Sequence, residues 1–68
     1  MKVKYFRDTD TALLEFSEAL VDDTRAFSDH VYVDLDNDGN LVSMTIEHAA
    51  KLASLPQVRL EEIGAPAA

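Results

Sequence analysis

Apolar and polar side chains alternate along most of this chain, and the alternation changes period once. Lys2-Val3-Lys4-Tyr5-Phe6-Arg7 places Val3 and Tyr5 on one side of an extended segment. Ala12-Leu13-Leu14-Glu15-Phe16-Ser17 does the same with Leu14 and Phe16. A period of two is the signature of a half-buried strand. Asp8-Thr9-Asp10-Thr11 lies between them as a turn cluster. A four-residue loop there pairs Tyr5 with Leu14, Val3 with Phe16 and Lys4 with Glu15, and sets Phe6 opposite Leu13 on the outer face.

The second alternating pair is Val31-Tyr32-Val33-Asp34-Leu35 and Leu41-Val42-Ser43-Met44-Thr45-Ile46, around Asp38-Gly39. Asp-Gly between such runs signals a hairpin, because a type I′ turn needs positive φ at both central positions. That turn sets Leu35 opposite Val42, Val33 opposite Met44, and Val31 opposite Ile46. All six side chains then share one face. A slip of one residue would send half of them to the other side, so burial of a single face fixes the register. His30, Tyr32, Asp34, Ser43, Thr45 and Glu47 occupy the opposite, polar face, with His30 facing Glu47.

Between the hairpins, Glu18 to Asp23 is acidic around Leu20-Val21 and has no clean period. Thr24-Arg25-Ala26-Phe27 could form a short strand, with a bulge or kink at Ser28-Asp29. From Glu47 to Leu55 the period becomes helical, with Ala49, Leu52, Ala53 and Leu55 in one stripe. Two turns of helix are unstable alone and must pack on the sheet. Pro56 disfavours helical geometry at Leu55. Ser54-x-x-Gln57 resembles a capping box and Gly64 a terminator, so residues 56–63 read as a second short helix; the alternation of Val58-Arg59-Leu60-Glu61 also allows a strand.

The pattern therefore predicts an α+β domain over residues 1–64. It has a four-stranded, mostly antiparallel sheet of two β-hairpins, with a short C-terminal helical segment on one face. Ala65-Pro66-Ala67-Ala68 forms a tail.

Composition narrows the partners. With 68 residues the chain holds one domain. A chain of this size is marginal alone. Cysteine is absent, so no disulfide or thiolate zinc site reinforces it. Dimerisation is the common remedy. Leu55, Val58, Leu60 and Ile63 are the expected interface of a homodimer, since the short helix is too small to cover the sheet. The net charge of −7, from 13 acidic and 6 basic residues, argues against nucleic acid and against an anionic membrane. It suits a basic protein partner. No transmembrane run or signal peptide is visible, which makes the cytoplasm the expected compartment.

Candidate chemistry is sparse. Asp34-x-Asp36-x-Asp38-Gly39 matches the first half of a calcium loop. The twelfth position, which needs a bidentate glutamate, is Thr45, and the flanks read as strands. Asp34, Asp36 and Asp38 are thus weak metal candidates, and Asp38 and Gly39 are read as turn residues. His30 with Glu47, or with His48, could form an acid–base pair or a small metal cluster; an exposed cross-strand pair accounts for the same residues. The two glycines cannot build a phosphate loop. No catalytic residue and no cofactor is assigned, and a non-enzymatic protein-interaction module is the expected function. The alternative is a small-molecule or metal-binding protein using the acidic turn and His30.

Several stretches together resemble a small prokaryotic family, the domain of unknown function 2283. They are Tyr5, Asp10-x-Ala12-Leu13-Leu14, Val21-x-x-Thr24-Arg25, and above all Val33-Asp34-Leu35-Asp36-Asn37-Asp38-Gly39-Asn40-Leu41-Val42 followed by Met44-Thr45-Ile46-Glu47-His48-Ala49. The resemblance runs from about Lys2 to Leu52. It departs at Phe6-Arg7, where the family often has an acidic residue or proline, and at His30, where it often has glycine. The resemblance implies the hairpin architecture and supplies no catalytic residue. In some genomes, family members look like neighbours of small toxin-like proteins, so the resemblance points to an antitoxin-like role.

Overall fold

A computed structural model describes residues 1–64. The 65–68 tail lies outside the described residues. Five strands form one antiparallel sheet: β1 (Lys2–Phe6), β2 (Thr11–Glu15), β3 (Asp23–Ser28), β4 (Val31–Leu35) and β5 (Leu41–Glu47). One short helix follows, α1 (Ala49–Ala53). The strand order is β1-β2-β5-β4-β3.

The fifth strand corrects the expectation of four. The segment written as an optional strand, 24–27, pairs with β4 along its length, from Asp23↔Leu35 to Ser28↔Val31. Every residue of β3 is exposed. It is an edge strand held by backbone hydrogen bonds, so it needs no apolar alternation and shows none. A register shift between Ala26 and Ser28 accommodates the expected kink, and a tight turn at Asp29-His30 leads into β4. His30 keeps negative φ there, so glycine is not required.

The central hairpin pairs Val33 with Met44 and Val31 with Ile46, as the alternation predicts. Near its tip the prediction needs correction. Leu35 pairs with Leu41, not Val42, and the register shifts between Asp34 and Leu35. Asp36 accepts from the Gly39 amide at 3.0 Å, and the Asp36 amide donates to the Asn40 carbonyl at 2.9 Å. Gly39 has φ of +81°, while Asp38 does not take positive φ. The connection is therefore a three-residue loop ending in a left-handed glycine, and not a type I′ turn on Asp38-Gly39. Val42 is the extra residue that restores the register.

The first hairpin is shifted by two residues. Val3 faces Leu14 and Tyr5 faces Ala12, and the four-residue loop covers Arg7 to Asp10. Phe6 accordingly faces Thr11, not Leu13. Asp10 adopts the left-handed conformation, φ 52°, which closes the loop one residue early. A two-residue slip preserves which face each side chain occupies. Lys4 and Glu15 still meet, diagonally, at 3.4 Å.

Strand directions place the connections at two ends of the sheet. The β1–β2 loop, the β3–β4 turn and α1 lie at one end, called here the helix end. The β4–β5 turn and the β2–β3 linker, residues 16–22, lie at the other, the turn end. The core sits at the helix end: buried Ala12, Ala49 and Leu55, with Tyr5, Leu14 and Ile46 packed against them. Ser54 in left-handed conformation ends α1, and the Leu55 amide donates back to the Ala49 carbonyl. The helix thus has five residues and covers one end of one face, not the whole face.

Residues 57–64 form neither helix nor strand, so the second helix is not seen. Its eight residues are too few to hold a helix without a surface to pack on. The Gln57 amide closes a turn on the Ser54 carbonyl where a capping box was expected.

Candidate functional site

The acidic turn comes first, because it carries the metal candidates. Asp34 points to the polar face in register with Thr24 and Ser43. Its Oδ1 accepts from the Thr24 hydroxyl and its Oδ2 from the Ser43 hydroxyl, both at 2.6 Å. These bonds satisfy buried Ser43 and tie three strands together. Asp36 folds back into the turn, where its Oδ1 accepts from the amides of Asp38 at 2.9 Å and Asn40 at 2.8 Å. Those amides, Asn40's above all, hold its carboxyl below the ordinary carboxylate value against a smaller opposing effect of burial. Asp34 therefore spends both carboxylate oxygens on the sheet, and Asp36 spends its Oδ1 on the turn. Among the described residues, no group of three or more histidine, cysteine or acidic side chains is placed to hold a metal.

His30 lies at the helix end, a strand's length of roughly 15 Å from the acidic turn. The two halves of the small-molecule or metal alternative are not brought together. His30 instead meets Glu47, with Nδ1 3.7 Å from Oε1. The Glu47 amide also donates to the His30 carbonyl at 2.8 Å. The His48 ring stands edge-on to the His30 ring, centroids 4.7 Å apart. Phe6, Thr11, His30, Glu47 and His48 line an open cleft of about 540 Å³. It offers two imidazoles, a carboxylate and a hydroxyl at the surface.

A second constellation at the helix end was missed by sequence reading. The Tyr5 hydroxyl donates to Asp10 Oδ1 at 2.6 Å, and the Ala50 amide donates to the same oxygen at 3.0 Å. The Asp10 carbonyl accepts from the Ala49 amide at 2.9 Å. Asp10 thus caps α1 from forty residues away, while His48, at the N-cap position, makes no side-chain cap bond. The tyrosine bond, then the Ala50 amide, hold the Asp10 carboxyl below its ordinary value, and the same bond pushes the Tyr5 hydroxyl up. A turn aspartate and a distant helix start share no sequence signal.

The apolar candidates divide. Leu55 is buried within its own chain, which removes it from the expected interface. Val58, Leu60 and Ile63 are exposed, Leu60 at 93%. At the turn end, Leu20 is 89% and Val21 50% exposed. They line a second open cleft, of about 560 Å³, together with Asp22, Asp36 and Asp38. Two aliphatic residues without a period inside an acidic run were its sequence signal.

Among the described residues no large side chain is fully buried. The chain exposes 5561 Å², roughly 1,300 Å² above what a compact monomer of its mass exposes. Its radius of gyration is 14.1 Å, against about 11 Å for a compact chain of this length. No helix among the described residues is long and apolar enough to cross a membrane.

Compared with known proteins, residues 2–49 match the family described as "Protein of unknown function (DUF2283)". The match takes in all five strands and stops at the first residue of α1. No curated protein and no solved structure matches the chain.

Proposed function

This chain belongs to the DUF2283 family, and we propose that it works as a non-enzymatic protein-interaction module. In this reading it is a homodimer, and its acidic surface receives a basic protein partner in an antitoxin-like manner. The observation that carries the reading is the uncovered apolar surface. The surface of the whole chain, polar and apolar together, exceeds that of a compact monomer by roughly 1,300 Å², against the roughly 800 Å² that each partner buries in a standard interface. Val58, Leu60 and Ile63 are exposed on the C-terminal segment, and Leu52 is 53% exposed on α1. A two-fold partner could cover these side chains on both copies at once. The acidic balance of 13 to 6 supports attraction to a basic surface and disfavours anionic ones.

Sedimentation equilibrium at micromolar concentration tests the dimer. A dimer that weakens in a Val58→Ser/Leu60→Ser variant is the expected result. A monodisperse monomer overturns the homodimer.

The alternative, in its small-molecule form, is better served by the His30–Glu47–His48 cleft than by the acidic turn. The observation in its favour is the 4.7 Å approach of the two imidazoles.

A further inference from the structure

We propose that the turn-end cleft docks a basic, amphipathic segment of a partner protein. This rests on the interaction-module reading and states where the basic partner sits and what chemistry it carries. Leu20 and Val21 present large aliphatic surface in a linker where charge surrounds them on both sides, at Glu18 and Asp22. That linker is anchored. The Phe16 amide donates to the Val42 carbonyl at 2.8 Å, and the Asp22 amide to the Leu35 carbonyl at 2.8 Å. The aliphatic pair is therefore held beside the cleft at both ends of its segment.

The cleft's other wall is Asp36 to Asp38. No lysine or arginine among the described residues pairs with Asp22, Asp36 or Asp38, whereas neighbouring Asp23 is matched by Arg25 at 2.8 Å. Apolar surface flanked by unneutralised carboxylates asks for an occupant that brings aliphatic side chains and cations together. A Lys/Arg-rich amphipathic segment does so. A second copy of this chain would bring carboxylates to carboxylates, at −7 on each side. The apolar pair supplies burial, and the acids supply steering and exclusion of acidic competitors.

The test uses the full chain, isotopically labelled, and a short peptide of Lys-Leu-Leu-Lys blocks followed by amide shifts. Peptides of Lys-Ser-Ser-Lys and Glu-Leu-Leu-Glu blocks are the controls. Saturable shifts confined to residues 19–22 and 36–38 are expected, with both controls weaker by about tenfold or more. Leu20→Ser/Val21→Ser should weaken the Lys-Leu peptide by a similar factor and leave the thermal midpoint in place. Equal binding of the Lys-Ser peptide, shifts spread over the other carboxylates, or no binding would each overturn the site. Concentration-dependent shifts of 19–22 without peptide would assign the cleft to a second copy and overturn it too. Failure here alongside a dimer by sedimentation defeats this site and leaves the module reading standing.

Discussion

The two ends of the sheet solve the same problem in opposite ways. At the helix end, loop, helix and strands close over Ala12, Ala49 and Leu55, and Asp10 stitches a turn to a helix forty residues on. At the turn end, the linker crosses the ends of β5 and β4 with its aliphatic side chains in solvent, tied down by backbone bonds to Val42 and Leu35, while Asp36 bonds only within its own turn. The helix end buries Ala12, Ala49 and Leu55 while Phe6, Phe27 and Leu52 stay exposed there; the turn end buries Val42 and leaves Leu20 and Val21 bare. A chain this short has apolar residues to close one end and no more. The open end is then available to something outside the chain.

Three substitutions or titrations can break or sharpen this contrast. The largest effect belongs to the helix end. Leu55→Ala should cost about 2–4 kcal/mol, since it removes the largest buried side chain of the core cluster. Urea denaturation measures it, and a loss below about 1 kcal/mol would mean that the core lies elsewhere. Next comes the central turn. Gly39→Ala should cost about 1 kcal/mol, because alanine resists φ of +81° although nothing crowds its Cβ. An unchanged midpoint would show that the turn adopts another form.

The smallest and most discriminating effect is the pH response. Asp10 and Asp36 both have carboxyls depressed below 3.8 in the folded chain. A depressed acid contributes stability that is present above its unfolded value and is lost as pH falls through the folded one. Stability should therefore fall below about pH 4. Asp10→Asn should flatten that limb and loosen α1, whereas Asp36→Asn should flatten it and leave the helix intact. Tyr5 gives the mirror case. Its hydroxyl is raised above 10.0 by the bond to Asp10. That contribution is present below the unfolded value and is lost as pH rises through the folded one, and Asp10→Asn should lower the tyrosine titration. If circular dichroism shows the helix signal equally affected by both variants, the two ends are not independent.

Much of the sheet was legible without coordinates. The pairing of Val31 with Ile46 and Val33 with Met44 follows from alternation and a glycine turn. The errors share a physical pattern. The first hairpin slipped by two residues and the second gained a bulge at Val42, and the two-residue slip leaves every side chain on its face. Alternation penalises a slip of one residue and is blind to a slip of two. Loop conformation decided the register, through Asp10 and Gly39. Strand β3 was undervalued because an exposed edge strand owes its existence to the backbone of its neighbour. The candidate site was legible in part: the pairing of His30 with Glu47 could be read, but the separation of His30 from the acidic turn and the cleft beside Leu20 could not.

By itself, then, the sequence determined strand periodicity, face assignment, charge and family, all of which are encoded in neighbours along the chain. Tertiary structure alone decided the strand order, the reach of Asp10 to Ala50, the burial of Leu55 and the exposure of Leu20 and Val21. Each of these depends on which distant segments meet. A two-fold or 3.6-fold period says which side of an element is apolar, and it carries no information about whether another part of the chain arrives to cover it.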